Sequence, residues 1–103
     1  MTSYALHPGA FEDLVDIWEF IAKDSLEAAD RVREQIHNAI RFVARNPNSG
    51  HWRRDLSSRP VRFHRVYDYL IVYAPEEMPV TVLAIIHGRR NPRVLAAMLQ
   101  GRE

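Results

Sequence analysis

Two apolar runs late in the chain, Tyr69-Leu70-Ile71-Val72-Tyr73 and Val80-Thr81-Val82-Leu83-Ala84-Ile85-Ile86, flank the turn Pro75-Glu76-Glu77-Met78-Pro79. Each has the length of a strand, and the proline-bounded turn makes them neighbours in an antiparallel sheet. The second run is apolar on both parities, with Val80, Val82, Ala84 and Ile86 on one and Leu83 and Ile85 on the other. A strand covered on one face alternates, so this one must be covered on both. Helices earlier in the chain can cover one face; the terminal helix or a second polypeptide must cover the other. The run closes on His87-Gly88-Arg89-Arg90. Glycine there is expected to turn the chain sharply. A core strand ending in a histidine and two arginines implies a partner or substrate that carries negative charge.

The preceding residues supply the covering helices. Tyr4 to His7 reads as a short extended start, closed by Pro8 at the first turn of a helix. Phe11, Leu14, Val15, Trp18, Ile21 and Ala22 recur at helical spacing and are expected to face the core. Asp24-Ser25-Leu26-Glu27 offers a capping residue with an acid three positions on, which restarts a helix. Ala29, Val32, Ile36, Ala39, Ile40 and Val43 carry it to Asn46-Pro47, where proline stops it. So short a connection makes an antiparallel helical hairpin. After the loop Asn46 to Gly50 and an irregular polar stretch from His51 to Pro60 come strands at 61–66, 69–74 and 80–87. Asn91-Pro92 then opens a short last helix. The expected architecture is α+β: an N-terminal strand and helical hairpin packed on a three- to four-stranded antiparallel sheet, with a C-terminal helix.

A chain of 103 residues, 47% hydrophobic and 26% charged, fits one domain over 1–103 with a small core. The absence of cysteine excludes disulfides and thiolate metal sites. The start carries no basic segment followed by an apolar stretch, and no run approaches a bilayer span, so a cytoplasmic protein is expected. The histidines lack the i, i+4 spacing of metal ligands, so neither metal nor cofactor is expected. Net charge is only +1, yet residues 1–50 carry −3 and residues 51–103 carry +4. Thirteen of the fourteen basic residues are arginine, whose planar fork suits carboxylates, phosphates and aromatic faces.

In order and spacing these motifs resemble the RelE/ParE superfamily of bacterial toxins, and more closely its ParE-like branch, which includes plasmid-stabilisation proteins. The matching residues are Ala10-Phe11-Glu12-Asp13-Leu14 and Ile17-Trp18-Glu19-Phe20-Ile21-Ala22 on the first helix and Ala28-Ala29-Asp30-Arg31 on the second. Asn46-Pro47, Gly50, Arg62, Tyr69 to Tyr73 and Ile86-His87-Gly88-Arg89-Arg90 follow. The resemblance implies a toxin of a type II toxin–antitoxin pair, held in a hetero-oligomer by a cognate antitoxin. ParE-like members are associated with inhibition of DNA gyrase, RelE-like members with cutting messenger RNA on the ribosome, and some members are not toxic. The fold alone does not choose among these.

Candidate residues divide along the same lines. RNA cleavage needs a base, an acid and cations around the phosphorane, which His64, His87, Arg62 and Arg89 could furnish. This region lacks lysine, unlike RelE-like nucleases, and the preferred reading is an inhibitor that binds without catalysis. Candidates for contact with antitoxin or target are Trp52, Arg62, Arg65, Tyr69, Tyr73, His87, Arg89 and Arg90. Trp52, set in a polar loop beside His51, Arg53 and Arg54, combines residue types common at binding hot spots and at base-stacking sites. For Arg89 or Arg90 a structural role is also open: pairing with Asp13 or Asp16 of the first helix.

Overall fold

The computed structural model describes residues 3–102; Met1, Thr2 and Glu103, the last counted in the basic half's charge balance, lie outside it. The elements run β1 (Tyr4–Leu6), α1 (Pro8–Ala22), α2 (Leu26–Arg45), β2 (Arg62–Val66), β3 (Tyr69–Ala74), β4 (Val80–His87) and α3 (Pro92–Gln100). The four strands form one sheet in the order β1-β4-β3-β2. β2, β3 and β4 are antiparallel neighbours as expected. β1 joins the sheet as well and lies parallel to β4, so the sheet is mixed rather than wholly antiparallel. The reason is connectivity: α1 and α2 intervene between β1 and the rest, and a strand separated by helices can return in parallel.

Local chemistry sets the helix ends. His7 Nδ1 accepts from the Gly9 amide at 2.9 Å and Pro8 occupies the first turn of α1. The cap of α2 is Ser25, one residue later than the Asp24 reading, and its hydroxyl accepts from the Ala28 amide at 3.1 Å. Asn91 caps α3 by accepting from the Arg93 amide at 2.8 Å.

Two apolar layers sandwich the sheet. On one face the α1/α2 hairpin packs Ala10, Leu14, Ile36, Ile40 and Val43 on Ile71, Tyr73, Val80, Val82 and Ile85. On the other, α3 contributes Leu95 and Leu99, and the loop before β2 contributes Leu56 and Val61, over Leu70, Val72, Leu83, Ala84 and Ile86. The second face is therefore covered by the chain itself. A bulge explains the strand's pattern: Val72 pairs with Ala84 but Tyr73 with Val82, which leaves Leu83 as the extra residue. Leu83 and Ala84 turn to the α3 side together, and the parity beyond them is reversed.

Three residues of α1 expected in the core, Phe11, Val15 and Trp18, are not there. Phe11 is 58% exposed and Trp18 only half-buried, its indole N–H donating to Asp30 Oδ1 at 2.9 Å. The core-facing row of α1 is Ala10, Leu14 and Ile17, while Phe11, Val15 and Trp18 form a second stripe one position round. With Leu6, Arg33 and His37 they line a groove between the two helices.

Candidate functional site

β3 sorts the candidate residues into two groups. Its first residue, Tyr69, sits opposite His87, while its fifth, Tyr73, sits opposite Arg62. Four residues of strand, roughly 13 Å, separate the two ends. One group therefore gathers where β4 finishes, and the other gathers where β2 begins.

At the end of β4 a cleft of about 380 Å³ is lined by Tyr69, His87 and Arg90 together with Asp13, Asp16, Phe20 and Met98. It exists because β1 is short: β1 pairs only with Val80–Val82, so from Leu83 to His87 no described strand lies on that side of β4. Part of the exposed edge is closed by side chains. Asp13 Oδ2 accepts from the Ile85 amide at 3.0 Å, and Arg102 Nη1 donates to the Leu83 carbonyl at 3.1 Å. The same two side chains form a two-pronged ion pair at 2.6 and 2.9 Å. That pairing replaces the expected one: Asp13 takes Arg102, from the far end of the chain. Arg89 instead lies 3.7 Å from Asp68, an acid that also meets Arg65 at 3.4 Å. Asp13 held close to Arg102 keeps that guanidinium's pKa raised, its hydrogen bond being the larger cause.

Within the cleft, His87 meets the Tyr69 ring edge-on at 5.4 Å, and its Nδ1 accepts from the Arg89 amide at 3.2 Å. Burial, with Asp68 adding to it, pushes the Tyr69 phenol up, so Tyr69 is a neutral hydroxyl at physiological pH. The chain turns at Gly88 as expected, the Arg90 amide donating to the His87 carbonyl at 3.2 Å, but without a left-handed conformation. No glycine has a positive φ; Gly88 instead donates to the Asp68 carbonyl at 2.7 Å, and a Cβ there would stand 3.2 Å from that oxygen. The left-handed residue is Tyr67, φ 54°, in the two-residue β2–β3 turn, with Arg65 Nε donating to its carbonyl at 2.9 Å.

At the other end, Trp52 is 41% exposed, with the Arg62 guanidinium 4.4 Å and the Arg54 guanidinium 5.5 Å from its ring centroid. Arg62 Nη1 donates to the Gly50 carbonyl at 2.7 Å, whereas its buried Nε has no partner. His64, two residues on along β2 and so on the same face, packs 5.7 Å from the Phe42 ring of α2. Burial and the neighbouring His51 lower its pKa. Tyr73 is not a surface residue at all: it is fully buried, donating to the Pro47 carbonyl and accepting from the Gly50 amide, both at 2.9 Å. It pins the loop that follows α2. A side chain at position 50 would come within 2.5 Å of the Tyr73 hydroxyl, which is why glycine stands there.

The four residues named for RNA cleavage are thus not brought together. His64 and His87 lie on β2 and β4, two strands apart and two residues offset, on the order of 12 Å between Cα atoms. Phe42 lies against His64. Arg62 is committed to Gly50 and Trp52, and Arg89 leans on Asp68. Among the described residues no three His, Cys, Asp or Glu side chains are grouped as metal ligands, and no helix is long and apolar enough to cross a membrane. Met98 in the cleft, Phe42 beside His64, and Arg102 as the partner of Asp13 carried no signal in the sequence, whereas Asp16 stood out only as an ion-pair partner and Phe20 only as a motif residue of the first helix. Arg54 did, through its adjacency to Trp52.

The family model described as the ParE toxin of type II toxin–antitoxin systems, parDE, matches residues 4–92. The chain belongs to that family. The match spans both groups of residues above and ends at the first residue of α3. No curated protein matches the chain. Family membership makes the chain a toxin of the type II toxin–antitoxin class and implies an antitoxin partner.

Proposed function

We propose that this toxin arrests growth in the bacterial cytoplasm by binding and inhibiting DNA gyrase, with no covalent chemistry of its own, until its antitoxin neutralises it. The observation that carries this reading is the dispersal of the candidate acid–base groups. General acid–base catalysis needs partners within hydrogen-bond reach of one reacting centre. Here one histidine lies against Phe42 while the other ends a strand two strands away. A binding inhibitor needs only a surface, and Trp52, Arg65, Arg89 and Arg90 are all exposed.

A second reading, ribosome-dependent cleavage of messenger RNA, draws on the cleft, where His87, Tyr69 and Arg90 do meet. Inducing the chain alone, then following plasmid supercoiling and transcript integrity in the same culture, separates the two. The gyrase reading expects altered supercoiling with intact messages, and His87→Ala acting only as far as it unsettles the fold. Cleaved messages that become intact on His87→Ala, about 10²-fold slower with the fold preserved, are the signature of the second. Unchanged growth, supercoiling and transcripts would mark a member that binds antitoxin without poisoning the cell.

A further inference from the structure

We infer that the Trp52 surface is a docking site for single-stranded nucleic acid, separate from the cleft at the end of β4. Three observations meet there. First, the indole is partly open to solvent and carries guanidinium groups at 4.4 and 5.5 Å. Second, the cations around it lack acids. Arg54 and Arg62 have no carboxylate partner. Phe42 of α2 reaches His64 on the face of β2 that holds Arg62. Third, Arg62 is fixed against the indole by its Nη1, which donates to the Gly50 carbonyl at 2.7 Å.

The chemistry selects among anions. A carboxylate-rich peptide offers charge, but gains nothing from a half-open indole already stacked with cations. A nucleotide brings a π-face and a phosphate together, and the patch holds an aromatic face and cations within about one residue's reach of each other. Bases must be unpaired to reach Trp52, which favours single strands over duplex. The charge layout agrees: the −3 half of the chain supplies the whole of α1 and α2, so the field orients a polyanion toward the β2 end.

The test uses the full chain carrying Trp18→Phe, which makes Trp52 the sole indole. A twelve-residue oligothymidylate is titrated against Trp52 fluorescence, with a duplex of equal length and a twelve-residue oligoglutamate in parallel. The expected result is quenching by the single strand, with a salt slope (log affinity against log salt) of about −1.4 if Arg54 and Arg62 both contact phosphate. Arg54→Glu should make the slope shallower by ~0.7, and Trp52→Ala, followed by the anisotropy of a dye-labelled oligothymidylate because that variant has no indole, should weaken binding about tenfold while leaving the slope unchanged. Both residues are exposed, so folding of the variants is checked by their thermal melts. No quenching, equal affinity for oligoglutamate, or tighter binding of the duplex with Trp52 undisturbed would each overturn the proposal. Supercoiling assays report on the gyrase reading and this titration does not, so either can fail alone.

Discussion

His64 and His37 show how single side chains tie this fold to pH. Both are partly buried, His37 on α2 and His64 against it: burial lowers the pKa of His64, with His51 adding to it, and burial lowers that of His37, with Arg41 and then Arg33 adding. The unfolded chain takes up these protons near the ordinary value of 6.5, the folded chain only at lower pH. Their stabilisation is therefore complete above that value and is lost as pH falls through the folded pKa values. The denaturant midpoint should be flat well above pH 6.5 and decline as pH falls below it, with His37→Gln plus His64→Gln flattening the decline. An equally steep decline in the double variant would assign the acid sensitivity to carboxylates instead. Tyr73 teaches a different lesson at this scale. Its residue type and place beside a basic half made it an interface candidate, but a tyrosine inside an apolar strand can as well turn inward if its hydroxyl finds partners. The partners are backbone groups of Pro47 and Gly50, remote in sequence, so nothing local announced them.

At the level of elements, the apolar runs were legible because strand length, turn chemistry and parity all agreed, and β3 and β4 fall where the runs do. The need to cover both faces of β4 was legible too, and α3 with Leu56 and Val61 meets it. The bulge at Leu83 was not, since a run apolar on both parities hides any change of register. The β2–β3 turn was hidden for the opposite reason. Tyr67 in a left-handed conformation carries none of the Gly or Asn chemistry by which such turns are read. α3 lies almost wholly outside the family match yet buries Leu95 to 2% exposure against the sheet. Leu95→Ala should cost ~2–4 kcal/mol by equilibrium denaturation, a large share of a small domain's stability. A loss under about 0.5 kcal/mol would mean that α3 is a loosely attached cover rather than part of the core.

For the whole molecule, covering both sheet faces moves the apolar surface left for a partner from β4 to the helical hairpin. Phe11 and Val15 are exposed on one side of α1 and border the groove that Trp18, Arg33 and His37 complete, while Phe20 lies on the opposite side, in the cleft at the end of β4. The Phe11 and Val15 side is where we expect a second polypeptide to dock. An antitoxin that binds only the folded toxin raises its stability by mass action, ~2.7 kcal/mol when free antitoxin stands at a hundredfold its Kd. For a domain of this length each kcal/mol moves the melting temperature by ~4–8 °C, so the complex should melt about 10–20 °C above the toxin alone. The shift should grow with antitoxin concentration, and Val15→Asp should reduce it, since a carboxylate would be buried unpaired in the joint surface. Scanning calorimetry of the toxin with increasing antitoxin decides the matter. A melting temperature that ignores antitoxin, or a shift that survives Val15→Asp undiminished, would place the partner on another face, where the arginines at the sheet ends are the remaining surface.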